Sequence, residues 1–298
     1  MDDRWPALPF DEWRDTYATL HMWSQMVGKV ALAFTAPLNH FWNIAFLLTP
    51  RGFSTHPLTA GARTFTMEFD FIDHQLAICG SDGTIDRLPL APRSVKTFYG
   101  ELMSLLRANG VDVRIWPMPV EIADPIRFDR DEIHASYDRA AVERFWRAIV
   151  SMRPVFEQFR CRFVGKSSPV HFFWGSFDLA STRFSGARAP ERPNADAITR
   201  EAYSHAVISH GFWPGNATLR EPVFYAYAAP EPDGFPSAAV QPREARYDRN
   251  VSEFLLPYEA VRHAATPERT LLSFLETTYD AGATLAGWNR GELEKQKV

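Results

Sequence analysis

The amino-acid sequence predicts an α+β fold in which two diverged repeats, each a helix, mostly antiparallel strands and a second helix, form a pseudo-twofold architecture. The first observation behind this prediction is an internal repeat of motifs that recur in the same order. The second is the alternation of helical and strand periods in each half. The third is that the turns between strands are of the hairpin type, which favours antiparallel pairing over βαβ crossovers.

The repeat begins with two helical patterns. A Trp-Arg pair opens a helical pattern at Trp13 and again at Trp146, and each pattern leads to a Gly-Lys pair, at Gly28 and at Gly165. Apolar residues recur at the helical period in both stretches, as they do in amphipathic helices. The shared order indicates that the second half is a diverged copy of the first.

An aromatic strand that contains a Trp follows each Gly-Lys pair. Eight residues separate this Trp from an Arg in both copies, so that Trp42 precedes Arg51 as Trp174 precedes Arg183. If the halves are copies, these pairs occupy equivalent places in the fold. We therefore expect Trp42 to superpose on Trp174 and Arg51 on Arg183.

Strand signals follow in both halves. Residues 65–78 alternate between apolar and polar types and lead to the turn signal 80–83. A further strand is predicted at 111–115. In the second half, residues 203–209 form the corresponding strand and 211–215 a turn.

Helix starts are marked by capping residues. Ser94 is the predicted N-cap of the helix that closes the first half, and Asp138 caps the helix that opens the second half. Thr266 and Pro267 supply a cap and a first-turn proline for the last helix. Each half is thus expected to begin and end with a helix.

The boundaries between the units follow from composition. Residues 1–116 form the first repeat, 117–139 a linker rich in Pro and acidic residues, and 140–298 the second repeat. Two Pro-rich stretches of the second repeat, 187–193 and 230–242, are predicted to be surface loops. Long loops in compact proteins are often functional or mobile.

Composition and charge bound the classes of function. The chain has 298 residues, 46% hydrophobic and 23% charged, which is typical of a globular protein. Its net charge of −4 comes with no basic stripe, so we expect neither nucleic acid nor a membrane surface as a partner. No apolar run approaches the ~20 residues of a membrane span.

Compartment and partner follow from similar observations. Cys79 and Cys161 lie in apolar stretches and suit a reducing compartment better than a disulfide framework. No secretory signal is visible at the N-terminus, and a cytoplasmic location is therefore expected. The expected partner is a small-molecule ligand, and the sequence leaves the oligomeric state open.

Three stretches carry a resemblance to a known family. GKSSPVHFFWGSFDLA spans 165–180, TRFSG spans 182–186 and GFWPG spans 211–215. Together they resemble an uncharacterised bacterial family of unknown function. The resemblance extends over nearly the whole chain, including Asn39 and His40, and it implies membership of the family without an activity.

Familiar catalytic motifs fail in this chain. Gly165-Lys166-Ser167 imitates the end of a phosphate-binding loop, but Arg160 stands where that motif requires its first glycine. Ser176 is not part of the Gly-x-Ser-x-Gly turn of serine hydrolases. The sequence favours neither an NTPase nor a serine hydrolase.

The candidate catalytic residues are His171, Asp178 and Arg183. Asp178 interrupts an apolar strand, where a carboxylate is costly unless it is paired, hydrogen-bonded or solvated in a cleft. It is expected to be buried and within hydrogen-bond reach of Arg183, His171 or a backbone donor. Two interpretations stay open: a structural ion pair between Asp178 and Arg183, or a functional site.

Five further residues are candidates for ligand binding. They combine aromatic surface with short polar groups close to the candidate catalytic residues. They are Trp174, Ser176, Asn39, His40 and Trp213. The competing interpretation places the aromatic residues in the core and gives Asn39 and His40 hydrogen bonds in a turn.

A metal site is not predicted. The nine histidines include His171, His205 and His210, but the last two are five residues apart and face opposite sides of a continuous strand. The sequence shows no compact ligand motif and no cofactor motif. We therefore expect neither a metal nor a cofactor.

Two functions from different classes fit these residues. The first is a small-molecule enzyme with an aromatic-lined cleft, in which His171 is the acid or base, Asp178 orients it and Arg183 binds an anionic group. The alternative is a non-catalytic protein that binds or senses a small molecule in the same cleft. A third hypothesis, an interaction protein acting through its Pro-rich loops, rests on loop length alone.

Overall fold

The α+β class is confirmed: helices pack against two antiparallel sheets in a computed structural model that describes residues 4–216 and 218–295. The helices are α1 (Phe10–Phe34), α2 (Val95–Ala108), α3 (Arg139–Arg160), α4 (Ala197–Ala202), α5 (Tyr258–Arg262), α6 (Pro267–Leu285) and α7 (Arg290–Leu293). Single 3-10 turns occur at Asn39–Phe41 and Phe235–Ser237. Among the described residues, no helix has both the length and the apolar run needed to cross a membrane.

The strands form two six-stranded sheets. The first sheet contains β1 (Leu47–Leu48), β2 (Gly52–Ser54), β3 (Leu58–Ala60), β4 (Arg63–Asp70), β5 (Gln75–Gly80) and β6 (Ile85–Pro89). Its order is β1-β2-β4-β5-β6, with β3 also paired to β4. The second sheet contains β7 (His171–Phe173), β8 (Asp178–Arg188), β9 (His205–Trp213), β10 (Val223–Ala229), β11 (Arg246–Asp248) and β12 (Glu253–Pro257). Its order is β11-β12-β10-β9-β8-β7.

A two-residue bridge joins the sheets. The Phe46 N–H donates to the Phe172 carbonyl at 2.8 Å, and the Phe172 N–H donates to the Phe46 carbonyl at 2.9 Å. The Phe172 ring also stacks on Phe53 of β2, with centroids 4.1 Å apart. The edge of the first sheet therefore continues into the edge of the second.

One hydrophobic core runs through both halves. It includes Trp23 of α1, stacked on Phe98 of α2 at 4.4 Å, and Phe145 of α3, in contact with Phe172. Burial of such rings is the main favourable contribution to folding, at ~25 cal/mol per Å² of apolar surface. The two predicted repeats thus share their interior, and the boundaries at 116 and 140 stay a prediction.

The segment between α2 and α3 differs from expectation. The predicted strand at 111–115 is wrong, because residues 111–138 contain neither helix nor strand. This segment still packs inward, and Phe128 is fully buried in the shared core. The predicted linker is therefore part of the folded body.

The pseudo-twofold repeat is not confirmed. Each half does run from a helix through an antiparallel sheet to a helix, but the matched residues lie on different elements. Arg51 is exposed between β1 and β2, where it pairs with Asp70 at 2.7 Å, whereas Arg183 is 3% exposed in the middle of β8. Gly28 lies inside α1 and Gly165 beyond the end of α3. The ends of the predicted repeats, residues 1–3 and 296–298, lie outside the described residues.

The predicted capping residues have the expected roles in two helices. The Ser94 side chain accepts from the Thr97 N–H, and Asp138 accepts from the N–H groups of Ala140 and Ala141. These bonds satisfy donors that a helix start leaves free. The Thr266 side chain makes no such bond, and α6 begins with Pro267.

The predicted turn at 211–215 is wrong in its first part, because β9 continues through Gly211 to Trp213. A Cβ at Gly211 would lie 2.2 Å from the Tyr225 hydroxyl oxygen and 2.4 Å from the Leu179 carbonyl oxygen. The glycine therefore makes room for the Tyr225 side chain on the sheet surface.

Close packing at Gly28 leads to a stability prediction. A Cβ at Gly28 would lie 2.3 Å from the Trp174 ring, so Gly28→Ala should destabilise the protein by ~1 to 3 kcal/mol despite the higher helix propensity of alanine. Gly100 of α2 serves as the control, because a Cβ at this position would have no atom within 4 Å. Gly100→Ala should raise the free energy of unfolding by ~0.5 to 1 kcal/mol. Urea denaturation of both variants measures the two shifts, and equal shifts would contradict the packing argument.

Candidate functional site

A cavity of about 340 Å³ lies over the face of the second sheet that points away from α3 and α6. Its volume is within the range of small-molecule sites. The floor is formed by alternate residues of β8, β9 and β10. They are Asp178, Ala180, Thr182, Phe184, Val207, Ser209, Tyr225 and Tyr227.

The walls come from four other parts of the chain. The segment after α1 contributes His40, Phe41, Trp42 and Ile44, and the segment before α3 contributes Val120 and Glu121. The β7–β8 turn contributes Phe173, Trp174, Gly175 and Ser176, and α4 with the residue after it contributes Ile198, Thr199, Ala202 and Tyr203. The cavity is therefore assembled from both halves of the chain.

The alternation of β8 decides which of its polar side chains enter the cavity. Successive strand residues point to opposite faces, and β8 pairs with β9 in continuous register from Leu179 to Phe184. Asp178 and Thr182 consequently face the cavity, whereas Arg183 faces the helices. Thr182 Oγ1 lies 2.8 Å from Ser209 Oγ on the cavity floor.

Asp178 is the buried carboxylate of the floor. It is 4% exposed and accepts hydrogen bonds from the Ser176 and Tyr225 hydroxyls. Burial raises the pKa of Asp178 to about 6, although both hydroxyl bonds act to lower it. The side chain can therefore change its protonation state close to neutral pH.

Glu121 brings a second carboxylate to the cavity. A Cβ at Gly175 would lie 2.5 Å from Glu121 Oε1, so the carboxylate lies directly over this glycine. The residue as a whole is exposed, but its carboxylate lies against the cavity lining at Gly175, and this contact removes part of the water around it. This desolvation, and secondly the charge of Asp178, raise the pKa of Glu121 to about 7.

Tyrosine hydroxyls extend the polar floor. The hydroxyl oxygens of Tyr203 and Tyr227 lie 3.0 Å apart, and the rings of Tyr225 and Tyr227 stack with centroids at 6.1 Å. Glu253 of β12 is close enough to raise the pKa of all three tyrosines, after the larger effect of burial. Burial, and then the charge of Asp178, raise the pKa of Glu253 itself to about 8.

His40 closes one end of the cavity. Its Nδ1–H donates to the Glu201 carbonyl at 2.9 Å, which leaves Nε2 to accept from Lys166 Nζ at 2.6 Å. Burial is the main cause that lowers the pKa of His40, and the charge of Lys166 lowers it further. The imidazole is thus held neutral with a defined tautomer.

Strained backbone concentrates around the cavity. Positive φ angles are costly for residues with side chains, at ~1 to 3 kcal/mol each, and tend to cluster at functional sites. His40, Phe41 and Glu121 line the cavity with φ of 57°, 56° and 57°. Phe177, next to Asp178, has φ of 57°. Strain at four positions around one cavity supports a functional role for it.

Four of the residues proposed from the sequence line the cavity. They are Asp178, Trp174, Ser176 and His40. Trp174 is held in place because its indole N–H donates to the Ile44 carbonyl at 2.8 Å. The expected burial of Asp178 is confirmed.

The structure does not bring His171, Asp178 and Arg183 into one site. Arg183 donates to the Phe159 carbonyl, and its guanidinium lies 3.5 Å from the Phe159 ring centroid, on the opposite side of the sheet from the cavity. Of the three partners expected for Asp178, neither Arg183 nor His171 contacts the carboxylate, whereas a backbone N–H, its own, does donate to it. The interpretation of Asp178 and Arg183 as an ion pair is wrong, because the alternation of β8 separates them.

The other proposed residues also lie outside the cavity lining. His171 is 1% exposed, contacts the Phe173 ring at 4.5 Å, and has no hydrogen-bond partner for either ring nitrogen among the described residues. Asn39 is exposed at the turn before His40. Trp213 packs on the Tyr225 ring at 5.4 Å, at the end of β9.

Several lining residues are not predicted by the sequence. Glu121 belongs to the predicted linker, and its only signal is an acidic residue between two aliphatic ones in a Pro-rich stretch. Tyr225 and Tyr227 alternate with small residues along β10, which is a weak sign of a polar sheet face. The approach of Glu121 to Gly175 depends on tertiary structure and has no signal in the sequence.

The histidines do not form a metal centre. Within residues 4–216 and 218–295, no group of three or more His, Cys, Asp or Glu side chains is arranged to hold a metal ion. His210 faces α6, with Nε2 3.1 Å from Thr278 Oγ1, while the His205 ring lies 5.8 Å from that of His40. Their expected placement on opposite faces of the strand is confirmed.

The environment of Asp178 predicts how stability depends on pH. Its pKa rises from 3.8 to about 6 on folding, so its favourable contribution is complete below pH 4 and is lost as the pH rises through 6. A difference of about two pKa units corresponds to a decrease in the free energy of unfolding on the order of 3 kcal/mol. Asp178→Asn keeps one acceptor oxygen for one of the two hydroxyls, presents its amide N–H groups to the other hydroxyl oxygen, and removes this dependence. Relative to wild type, the variant should therefore gain stability between pH 4 and pH 8.

Denaturant unfolding of both proteins across this pH range measures the difference. Asp112→Asn, a change at an exposed carboxylate, is the control and should give a curve parallel to that of wild type. If stability depends on pH in the same way in Asp178→Asn and in wild type, the pKa of Asp178 is not raised by folding.

A family model matches this chain, whereas individual known proteins do not. Searches of curated proteins and of solved structures returned no match. One family model matches residues 5–295, which is nearly the entire chain. The chain belongs to the family described as a family of unknown function, DUF5996.

Proposed function

We propose that the protein is a small-molecule enzyme in which Asp178 and Glu121 act as an acid–base pair in the sheet cavity. The observation that carries this proposal is the presence of two carboxyl groups, with pKa values raised to about 6 and about 7, on one aromatic-lined cavity. Pairs of titratable groups with separated pKa values near the working pH are typical of acid–base catalysis.

Glu121 is the proton-transfer residue in this proposal. It lines the cavity while remaining exposed, and near pH 7 both of its protonation states are populated, which favours proton transfer in either direction. Its carboxylate lies over Gly175, and its backbone has a positive φ angle of 57°.

Asp178 is the orienting and charge-stabilising residue. The Ser176 and Tyr225 hydroxyls fix its two oxygens, one each, and leave further lone pairs directed at the cavity. A carboxylate in this position stabilises positive charge that develops on a bound substrate. The charge of Asp178 also contributes to the raised pKa of Glu121, so the two groups act together.

Arg183 and His171, candidates from the sequence, receive supporting roles. Arg183 stabilises the end of α3 through the Phe159 carbonyl. His171 lies beside Trp42, at 6.5 Å between ring centroids, and contributes to the support of the aromatic wall. Neither residue is proposed to contact the substrate.

A non-catalytic binding or sensing protein is the second candidate. Asp178 already accepts from two hydroxyl donors, an arrangement that suits fixed recognition of a ligand as well as proton transfer. In that case the aromatic walls supply affinity and Glu121 supplies selectivity. The cavity is the same, and the two functions differ in whether the ligand is converted.

Substrate depletion distinguishes the two functions. Wild-type protein is incubated with a mixture of small metabolites, and the mixture is compared by mass spectrometry before and after. We expect at least one compound to be consumed by wild type and by Asp112→Asn, and its rate of consumption to fall at least ~100-fold in Glu121→Gln, the loss typical of removing a general acid or base. Retention of a compound by the protein without conversion would favour the binding function.

Gly175 provides an independent test of the position of Glu121. Gly175→Ala places a methyl group where Glu121 Oε1 now lies, and the flexible carboxylate can move away at little cost in stability. We expect the free energy of unfolding to change by less than ~1 kcal/mol. Consumption of the substrate should nevertheless fall, because the proton donor is displaced. Unchanged turnover would remove Glu121 from the mechanism.

A further inference from the structure

We propose that the ligand of the sheet cavity is an organic cation, a small protonated amine whose nitrogen lies between the carboxylates of Asp178 and Glu121. This inference rests on the part of the proposed function that makes the cavity the ligand site, and it does not depend on catalysis. It names the chemical class of the ligand from the charges, the rings and the hydrogen-bond capacity of the lining.

The charge of the lining favours a cation. Asp178 and Glu121 are the acidic residues of the cavity lining, and Glu253 of β12 lies next to Tyr227 on the same face of the sheet. In the part of the chain that the structure describes, no Lys or Arg side chain lines the cavity. An anionic ligand would meet two carboxylates without a compensating charge, whereas an ammonium group would pair with both.

The aromatic lining favours the same class. Rings attract cations placed over their faces, with ~0.5 to 2 kcal/mol per contact, because their faces are electron-rich. Phe173 and the three tyrosines Tyr203, Tyr225 and Tyr227 present rings to the cavity on the carboxylate side. A protonated amine is stabilised in the cavity both by these rings and by the carboxylates, whereas the binding free energy of a neutral ligand comes mainly from burial of its apolar surface.

The chain uses the same attraction for its own cations around this cavity. Lys166 Nζ lies 5.6 Å from the Trp42 ring centroid and 5.1 Å from that of Phe184, and Lys29 Nζ lies 6.0 Å from that of Trp174. These cations lie against the aromatic residues of the wall. The carboxylates of Asp178 and Glu121 have no cationic partner among the described residues.

The hydrogen-bond capacity of the floor points to a donor ligand. Ser176 and Tyr225 direct their hydroxyl hydrogens to Asp178, and His40 directs its Nδ1–H to the Glu201 carbonyl. The groups that remain free to interact are mainly acceptor lone pairs on the carboxylates and hydroxyls. An ammonium group, with up to three N–H donors and no acceptor, matches this surface.

Three probes of similar size and different charge test the inference. 2-Phenylethylamine, 2-phenylethanol and phenylacetate carry the same ring on an arm that ends in a cation, a neutral hydroxyl or an anion. Isothermal titration calorimetry at pH 8 and low salt measures their affinities. We expect the amine to bind at least ~10-fold more tightly than the alcohol, and phenylacetate to bind most weakly.

Variants assign the charge effect to the two carboxylates. Asp178→Asn and Glu121→Gln should each lower the affinity for the amine more than the affinity for the alcohol, so that the ratio of the two affinities approaches one. Asp112→Asn should leave all three affinities unchanged. Far-ultraviolet circular dichroism and thermal unfolding of each variant establish that a loss of affinity does not reflect a loss of folding.

Three results would overturn the inference: equal affinities for the amine and the alcohol, tighter binding of phenylacetate, or an amine affinity that neither carboxylate variant changes. Failure of all three probes to bind at millimolar concentration would also count against it. The outcome is separate from that of the catalytic proposal. Binding of the amine without turnover would support the cationic ligand and contradict the enzymatic function. Turnover of a neutral or anionic compound would support the enzymatic function and contradict the cationic ligand.

Discussion

The bridge between Phe46 and Phe172 is the interaction on which the arrangement of the two halves depends. Its two backbone hydrogen bonds join sheets that are otherwise separate, and the stacking of Phe172 on Phe53 extends the contact into the core. Because Phe46 lies two residues beyond the segment from His40 to Ile44, the bridge also holds that segment over the second sheet. The cavity exists because a piece of the first half is fixed above the floor formed by the second.

The chemistry of the cavity has a cost that the rest of the fold offsets. Burying a carboxylate such as Asp178 is unfavourable unless it is protonated or hydrogen-bonded, and the structure supplies two hydroxyl donors. Positive φ angles at His40, Phe41 and Glu121 add strain at the same place. Proteins tolerate such unfavourable local features when the packing of a large core holds the backbone in place. In this protein one core spans both halves.

The sequence predicts the fold class and most of the local elements, but less of the site. Periodicity and capping identify the helices that follow Ser94 and Asp138, because these signals are local. The repeat is a weaker guide: similar spacing places Arg51 and Arg183 in equivalent positions, whereas one lies in a turn and the other inside a strand. Spacing along a chain does not distinguish a turn from a strand when aromatic residues are abundant in both.

Asp178 can be identified from the sequence because a carboxylate among apolar neighbours is conspicuous. Its partners cannot, since Tyr225 is 47 residues away and reaches Asp178 through the pairing of β8, β9 and β10. Glu121 is missed for a related reason, because a Pro-rich stretch without periodicity gives no indication of where it packs. Contacts that depend on strand order and on irregular segments require tertiary structure.

The polar groups on both faces of β8 have a consequence for how the second sheet assembles. A shift of one residue in the pairing of β8 would move the Asp178 carboxylate among the helices and the Arg183 guanidinium onto the acidic floor side, with Leu179 exposed to the cavity. This misalignment would break the hydrogen bonds that Asp178 accepts from two hydroxyls and the bond that Arg183 donates to the Phe159 carbonyl, and would leave these buried groups unsatisfied. A strand with only apolar residues on one face could slide by two residues at modest cost. β8, with a charge of opposite sign on each face, has a single alignment of low energy and thereby sets the alignment of the strands beside it.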